Sequence, residues 1–585
     1  MLIKNGDKMK VHYLVQINRP EHHHVKVTLK LTRLSGQNQF KVFLPSWSPG
    51  SYLMREYARH IRWFQATQIN GEVLFHRQLA KGLWEIDWSG SELKNVQNEF
   101  EVSYEIYCKE LTVRTSHVDA SHAFLHGPSY LMGVFGSPLE NPTIEFRFPE
   151  AWSKISTSLK DISSAREVFQ FQAKNYDELI DSPVEIGCHE TDGFEYQGKP
   201  HHMATYGGSY PHSQPLKEDF KKIVSTVAAH FNHEIPYESY LFINHFLPRI
   251  YGGLEHLNST ALHFDGRKLA NRKDYLNYLS LVAHEYFHLW NVKRIRPKEL
   301  GPFDYLNEGY STMLWLAEGL TSFMDDLLVY RSGLSTLEEY LEAVKGHLDI
   351  YFSTPGRKYH SLEQSSFNAW VKLYRPDENS KNSSISYYLK GGLVFMALHS
   401  LLLKKGKSVD HLLTLLWSDF KSRPERGLGR DDFYKLVETL GGSDVLESFS
   451  NMIETTQEID FDSVMKSFGL ELKWTTPTNP WLGVEWEFSG ERVLIKSVAL
   501  DSSAHKSGLN SGDEVLFING FRFLREDADK LSSYLLLDKS YEFVVSRLGR
   551  STSVRVIPEM GPRQLKEIVI LDKSLAEKSF RLQSN

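Results

Sequence analysis

The sequence predicts a multidomain α+β protein: an N-terminal β-sandwich-like domain, a mainly helical middle domain, and a compact strand-rich C-terminal module. Three observations carry this. Short runs rich in β-branched and aromatic residues, separated by Gly, Pro, Asn and Ser, fill residues 9 to 190. From about 215 to 470, apolar residues recur at three- and four-residue spacing, the period of an amphipathic helix. After the polar stretch KWTTPTNP at 473–480, strand patterns return.

At 585 residues the chain exceeds what one hydrophobic core organises, and about 150 residues per domain suggests three or four domains. The expected boundaries are 1–190, 191–472 and 478–560, followed by a C-terminal tail at 561–585. Hydrophobic residues make up 41% and charged residues 24%, so the chain lacks the composition of disorder and should fold throughout. Its 67 basic and 73 acidic residues are dispersed, with no basic stripe, so neither nucleic acid nor an anionic membrane is an expected partner.

The most apolar stretch, Gly391 to Leu403, is interrupted by His399 and Ser400 and is shorter than the roughly 20 residues that span a bilayer. It predicts a core helix, and no transmembrane segment is expected. The opening MLIKNGDKMKVHYLVQI lacks the apolar core and cleavage site of a secretory signal and reads as a short strand. With only Cys108 and Cys188 present, a reducing, cytoplasmic setting is expected.

In the first region, KVTLKL, FKVFLP, EFEVSYEIY and TIEFRF are the clearest strands. PSWSPGSYLMREYARH at 45–60 is turn chemistry, with Pro49-Gly50 the strongest breaker, and it carries no catalytic group. The triplet His22-His23-His24 suggests a metal, but neighbours on a strand point to opposite faces, so a structural role is expected. In the middle region, LKEDFKKIVSTVAAHF, KDYLNYLSLVAHEYFHLW, STMLWLAEGLTSFMDDLLVY and SYYLKGGLVFMALHSLLLK predict helices. SYLFINHFL at 239–247, ahead of Gly252-Gly253, adds a small sheet. The last region offers RVLIKSV, EVLFINGFRF, YEFVVSRL and TSVRVIP as strands, with one amphipathic helix near 525–537. There is no internal repeat.

The chemistry concentrates in LSLVAHEYFHLWN. On a helix, His284 and His288 project from one face one turn apart, a spacing that suits a single zinc ion. Leu276, Leu279, Ala283 and Phe287 supply the apolar stripe that such a helix needs. Glu285 lies beside the histidines without being a ligand and is placed to take a proton from a metal-activated water. Two histidines require one more protein ligand, because a catalytic zinc keeps its fourth position for water.

The candidates are Glu308 in LNEGY and Glu318 in WLAEGLTSF. Glu318 sits inside an apolar run, where a carboxylate is costly unless a partner or metal neutralises it, whereas a loop would carry Glu308 cheaply. Glu318 is therefore the expected ligand, with Glu308 retained as the alternative.

HEYFHLWNVKRIRP, WLAEGLTSFMDDL, SYYLKGG and GGLEH resemble the glycyl aminopeptidase family, metallopeptidase family sixty-one, and PSWSPGSYLMREYARH and DSPVEIG resemble its N-terminal domain. The resemblance implies a thermolysin-like catalytic domain and a His, His, Glu set holding one zinc ion, met here by His284, His288 and Glu318. GGLEH is similar to a segment whose glycines lie along the substrate and whose glutamate meets its free amino terminus. This assigns Gly252, Gly253 and Glu255 to substrate binding. Tyr388 resembles the tyrosine that steadies the oxyanion; Tyr387 would face about 100° away on a helix. Asp325 could orient a ligand histidine, although a solvated helix acid is the plainer reading.

A peptide or protein substrate is implied, with small N-terminal residues such as Gly or Ala preferred. AHKSGLNSGDEVLFINGFRF resembles a PDZ domain, which implies a peptide added beside Leu482 to Phe488 or, alternatively, a module that merely docks. Trp481 stands where the usual carboxylate-binding loop has glycine. An endopeptidase, and a PDZ scaffold with a vestigial metal site, are the competing functions.

Overall fold

The computed structural model describes residues 9–32, 38–88, 99–165, 168–208 and 214–583. The first eight residues of the expected opening strand lie outside the described residues; the strand itself is Val11–Gln16. The chain forms two compact units, Met1–Tyr310 with Asp419–Gly427, and Ser311–Ser418 with Leu428–Asn585.

In the first unit, Val11–Gln16, His24–Thr32 and Glu99–Tyr107 lie side by side in a seven-stranded sheet. Side chains alternate between faces along a strand, so Tyr13, Val15, Val25, Val27, Val102 and Tyr104 all turn inward. A four-stranded sheet containing Gln39–Phe43 and Leu83–Asp87 supplies Phe40, Val42, Trp84 and Ile86 to the same core. The histidine triplet straddles a turn and a strand start, and His23 adopts a left-handed backbone. Among the described residues, none of the three joins a cluster of metal donors.

Two more sheets follow. One contains Val184–Gly187 beside His122–Leu125; the other has five strands in the order Glu190–Tyr196, Lys199–Tyr206, Tyr240–Phe246, Ser259–Phe264, Tyr251–Glu255. Tyr240–Phe246 pairs in parallel with both neighbours and is buried throughout, which accounts for its apolar sequence. Tyr251–Glu255 is an edge strand, antiparallel to Ser259–Phe264.

Glu185 joins these sheets. It accepts hydrogen bonds from His122 Nδ1 at 2.8 Å and His245 Nε2 at 2.9 Å, and His263 Nε2 lies 2.8 Å from His245 Nδ1. Burial alone would raise its pKa, but His245 and His122 outweigh burial and hold it at about 2. The helix Arg272–Phe287 packs against the edge strand, its first turn capped by the Asn271 side chain accepting from the Asp274 N–H.

In the second unit, the helix Tyr387–Leu403 is buried along most of its length, as its apolar sequence requires. A single π-helical turn, Trp315–Gly319, leads into the helix Leu320–Arg331. Gly319 lies against Gly391 so closely that a Cβ at Gly319 would stand 2.6 Å from the Gly391 Cα. The two glycines let the π-turn and the central helix touch backbone to backbone.

Beyond residue 470 the unit turns to strands: Val484–Ser489, Arg492–Val498, Glu514–Ile518, Tyr541–Arg547 and Arg550–Val556 form one antiparallel sheet around its own apolar core. The helix expected near 525–537 is two short pieces, Arg525–Ala528 and Leu531–Tyr534. Dividing it lets Ala528, Leu531 and Leu535 all reach that core. The residues after 560 fold back: Gln564–Ile570 pairs with Leu470–Thr475, and in the helix Lys573–Phe580 the Ser579 carbonyl accepts from His399 Nε2 at 2.9 Å. Among the described residues, no helix is long and apolar enough to cross a membrane.

Candidate metal centre

Glu285 sits in the last turn of the helix Arg272–Phe287, and His288 caps its end. The i, i+4 spacing sets the rings of His284 and His288 edge to face, with centroids 4.6 Å apart. His288 Nδ1 lies 2.7 Å from the Asn291 carbonyl. A carbonyl only accepts, so Nδ1 carries the proton and Nε2 of the neutral ring keeps its lone pair for a metal. Sequence reasoning missed Asn291, although it stands inside the HLWN run.

The edge strand brings the substrate-binding candidates alongside. A Cβ at Gly253 would overlap the Glu285 carboxylate, so a bare backbone is what lets that carboxylate lie against the strand. Arg114 Nη2 donates to the Gly253 carbonyl at 3.2 Å and fixes the strand from the other side. Glu255, on the same strand, is 4% exposed, and its carboxylate, that of Glu285 and a ring nitrogen of His288 lie within 4.8 Å of one another. Glu255 Oε1 has no hydrogen-bond partner among the described residues, a costly state for a buried acceptor. Gly50, with φ of 83°, presses on this carboxylate.

Asp181, from the DSPVEIG segment, anchors the loop beyond Glu255. It accepts from the Leu257 N–H at 2.8 Å and from Lys293 Nζ at 2.9 Å, and lies 3.0 Å from His256 Nδ1. Burial would raise its pKa, but Lys293 and His256 hold it at about 2. It thus ties the stretch following Glu255 to the stretch following His288, a role no sequence signal revealed.

In the second unit, Glu318 is 2% exposed within the π-turn. Such turns often mark functional sites, because the extra residue re-aims a side chain. Tyr388 opens the helix Tyr387–Leu403, its N–H held by Ser386 Oγ at 3.2 Å and its hydroxyl 3.2 Å from that of Tyr374. Burial first, then the negative charge of Glu318, raise its pKa well above the usual phenol value, so it remains an O–H donor. Tyr387 is fully buried and stacks on Tyr388. Asp325 is partly buried and accepts from the Asp326 N–H at 2.6 Å. Glu308, in the first unit, is exposed and outside regular structure.

A helix-borne His-Glu-x-x-His pair beside a glycine-bearing edge strand with a buried glutamate defines a peptidase of the metallopeptidase class. The family profile of the peptidase M61 N-terminal domain matches residues 12–188, and that of M61 glycyl aminopeptidase matches residues 277–394, together about half the chain. The chain belongs to the M61 glycyl aminopeptidase family. Neither profile reaches residues 478–560.

The crystal structure of an aminopeptidase N family protein from Idiomarina loihiensis is similar at 25% identity and a TM-score of 0.90, over 97% of this chain and 100% of that one. An M1 zinc metallopeptidase variant from Deinococcus radiodurans matches at 16% identity and a TM-score of 0.48, over 77% of this chain and 94% of that one. No protein with a curated description matches.

Proposed function

We propose that the protein is a zinc-dependent aminopeptidase in which His284, His288 and Glu318 hold one zinc ion. The observation that carries this is the closeness of Glu255, Glu285 and His288, within 4.8 Å of one another. In a peptide attacked at its first bond, one carbon separates the ammonium from the scissile carbonyl. A carboxylate that binds the ammonium must therefore lie within a few ångströms of the base that activates water. Glu255 meets that requirement, and its unpartnered buried oxygen gains a hydrogen bond when an ammonium arrives.

The donors suit zinc: two imidazoles, one with its tautomer fixed by Asn291, and a buried carboxylate leave a fourth position open. When bound, zinc would polarise the scissile carbonyl and acidify a water. Glu285 accepts the proton of that water and returns it to the leaving amine. Tyr388 donates its hydroxyl hydrogen to the developing oxyanion, a charge that exists only in the transition state. Gly252 offers open backbone for the substrate to lie along, and Gly253 leaves the room beside it that the Glu285 carboxylate takes.

Family membership supports small N-terminal residues such as Gly or Ala as substrates. We read residues 478–560 as a PDZ module, supported by the antiparallel sheet with Val484–Ser489 at its edge. Its docking is supported by the Lys381–Glu485 ion pair and by Asn382, which donates to the Val498 carbonyl at 2.8 Å and accepts from the Leu500 N–H at 2.9 Å.

Comparing hydrolysis of a free peptide with that of its N-acetylated twin, with and without chelator, tests the function. The free peptide should be cleaved at least a hundredfold faster, and only without chelator. Equal rates for the two peptides would defeat the aminopeptidase reading.

A further inference from the structure

We infer that His117, Asp119 and His122 form a second metal site, one that takes an exchangeable divalent ion of the zinc class. It lies in the first unit, uses none of the residues assigned to catalysis, and does not depend on that assignment.

The backbone brings the three residues together. His117–Val118 and His122–Leu125 are the arms of a hairpin, with His117 opposite Phe124 in the register. Residues two apart on a strand share a face, so His122 is the diagonal neighbour of His117 and both reach a common partner. Asp119 sits in the turn between them. One donor atom from each of the three lies within 4.8 Å of the other two.

Hydrogen bonds fix which atoms are left to bind. His117 Nδ1 is 2.6 Å from the Lys109 carbonyl, and His122 Nδ1 is 2.8 Å from a Glu185 carboxylate oxygen. Those oxygens only accept, so in each ring Nδ1 carries the proton, and Nε2 of the neutral ring bears the lone pair. A carbonyl or carboxylate behind the ring is the usual support of a metal-binding imidazole. Tyr206 stacks on His122 with centroids 3.5 Å apart and holds its plane. In Asp119, Oδ1 accepts from the N–H groups of Ser121 at 2.7 Å and His122 at 3.2 Å, while Oδ2 faces His117 Nε2 at 3.3 Å.

That facing pair is the telling contact. A neutral His117 presents a lone pair to a carboxylate oxygen, and two acceptors face each other stably only with a cation between them or a second proton on the ring. Ligand atoms in a tetrahedral zinc site stand about 3.3 Å apart, because each bond is about 2.0 to 2.1 Å. The buried alternative, His122 and His245 around Glu185, has spacings of 2.8 and 2.9 Å, hydrogen-bond lengths with protons in place. The ion therefore belongs with His117 and Asp119.

Two imidazoles and one carboxylate suit zinc, with water completing the shell. His122 is 1% exposed and fixed, whereas the Asp119 side chain is 39% exposed, so the ion enters and leaves from solvent. Such a site empties when the protein is purified without added metal. Its occupant clamps the hairpin and takes no part in peptide hydrolysis.

The test dialyses the full-length protein, purified without added metal, against a tenfold molar excess of zinc chloride and counts bound metal by mass spectrometry. The wild type should gain one zinc per chain. Asp119→Asn, whose amide can donate to His117 Nε2, and His117→Ala should gain none. A wild type that gains no zinc would overturn the proposal and leave an ordinary His117–Asp119 ion pair. The same gain in a folded variant as in the wild type would overturn it too, by placing the ion elsewhere. Should neither variant fold, the wild-type count decides alone.

Discussion

Gly50 lies against the carboxylate of Glu255 so closely that a Cβ at position 50 would stand 2.5 Å from Oε1 and 2.7 Å from Oε2. Its φ of 83° also lies in the left-handed region that glycine adopts without penalty. Gly50→Ala should therefore cost about 1 kcal/mol or more of stability and displace Glu255, raising KM for free-amino peptides about tenfold. Thermal denaturation and steady-state kinetics check this. An unchanged KM would mean that the Pro49-Gly50 turn does not position the carboxylate.

Glu255→Ala should lose at least a hundredfold in kcat/KM on free-amino peptides, because a charge-assisted bond to the ammonium disappears. Its residual activity should no longer discriminate against N-acetylated peptides. The ratio of the two rates, rather than either rate alone, is the readout.

Tyr388→Phe should lower kcat about a hundredfold with little change in KM, as expected when a donor serves only the transition state. A kcat loss accompanied by an equal rise in KM would point to a structural role instead.

Glu185 should make stability depend on acid. Its folded pKa of about 2 lies below the ordinary 4.5, so the stabilisation is complete above pH 4.5 and is lost as pH falls toward 2. The lowered pKa of His245, caused mainly by burial, acts in the same direction below about pH 6.5. Denaturant titrations at pH 7 and pH 3 should differ by about 2 kcal/mol more in the wild type than in Glu185→Gln. Equal pH dependence of the two proteins would show that this network stores no such energy.

The succession of strands, helices and strands was legible because it is written in local periodicity, and the His284 to His288 pair was legible because four residues span one helical turn. What escaped depends on contacts between distant segments. Gly50 meets Glu255, and Asp181 links Leu257 to Lys293, only once the sheets have assembled. The π-turn at Trp315–Gly319 is a shift of one residue in hydrogen-bond register, too small to disturb an apolar pattern. Likewise, the break between Arg525–Ala528 and Leu531–Tyr534 reflects which side chains the core admits, which a helical period does not encode.

The account depends most on the metal and its third ligand. Metal content measured by mass spectrometry on wild-type, Glu318→Gln and Glu308→Gln proteins, purified without added metal, tests it directly. The prediction is one zinc per chain in the wild type and in Glu308→Gln, with zinc lost from Glu318→Gln. Zinc retained at full stoichiometry in Glu318→Gln, or absent from the wild type and not restored on adding zinc salt, would contradict it.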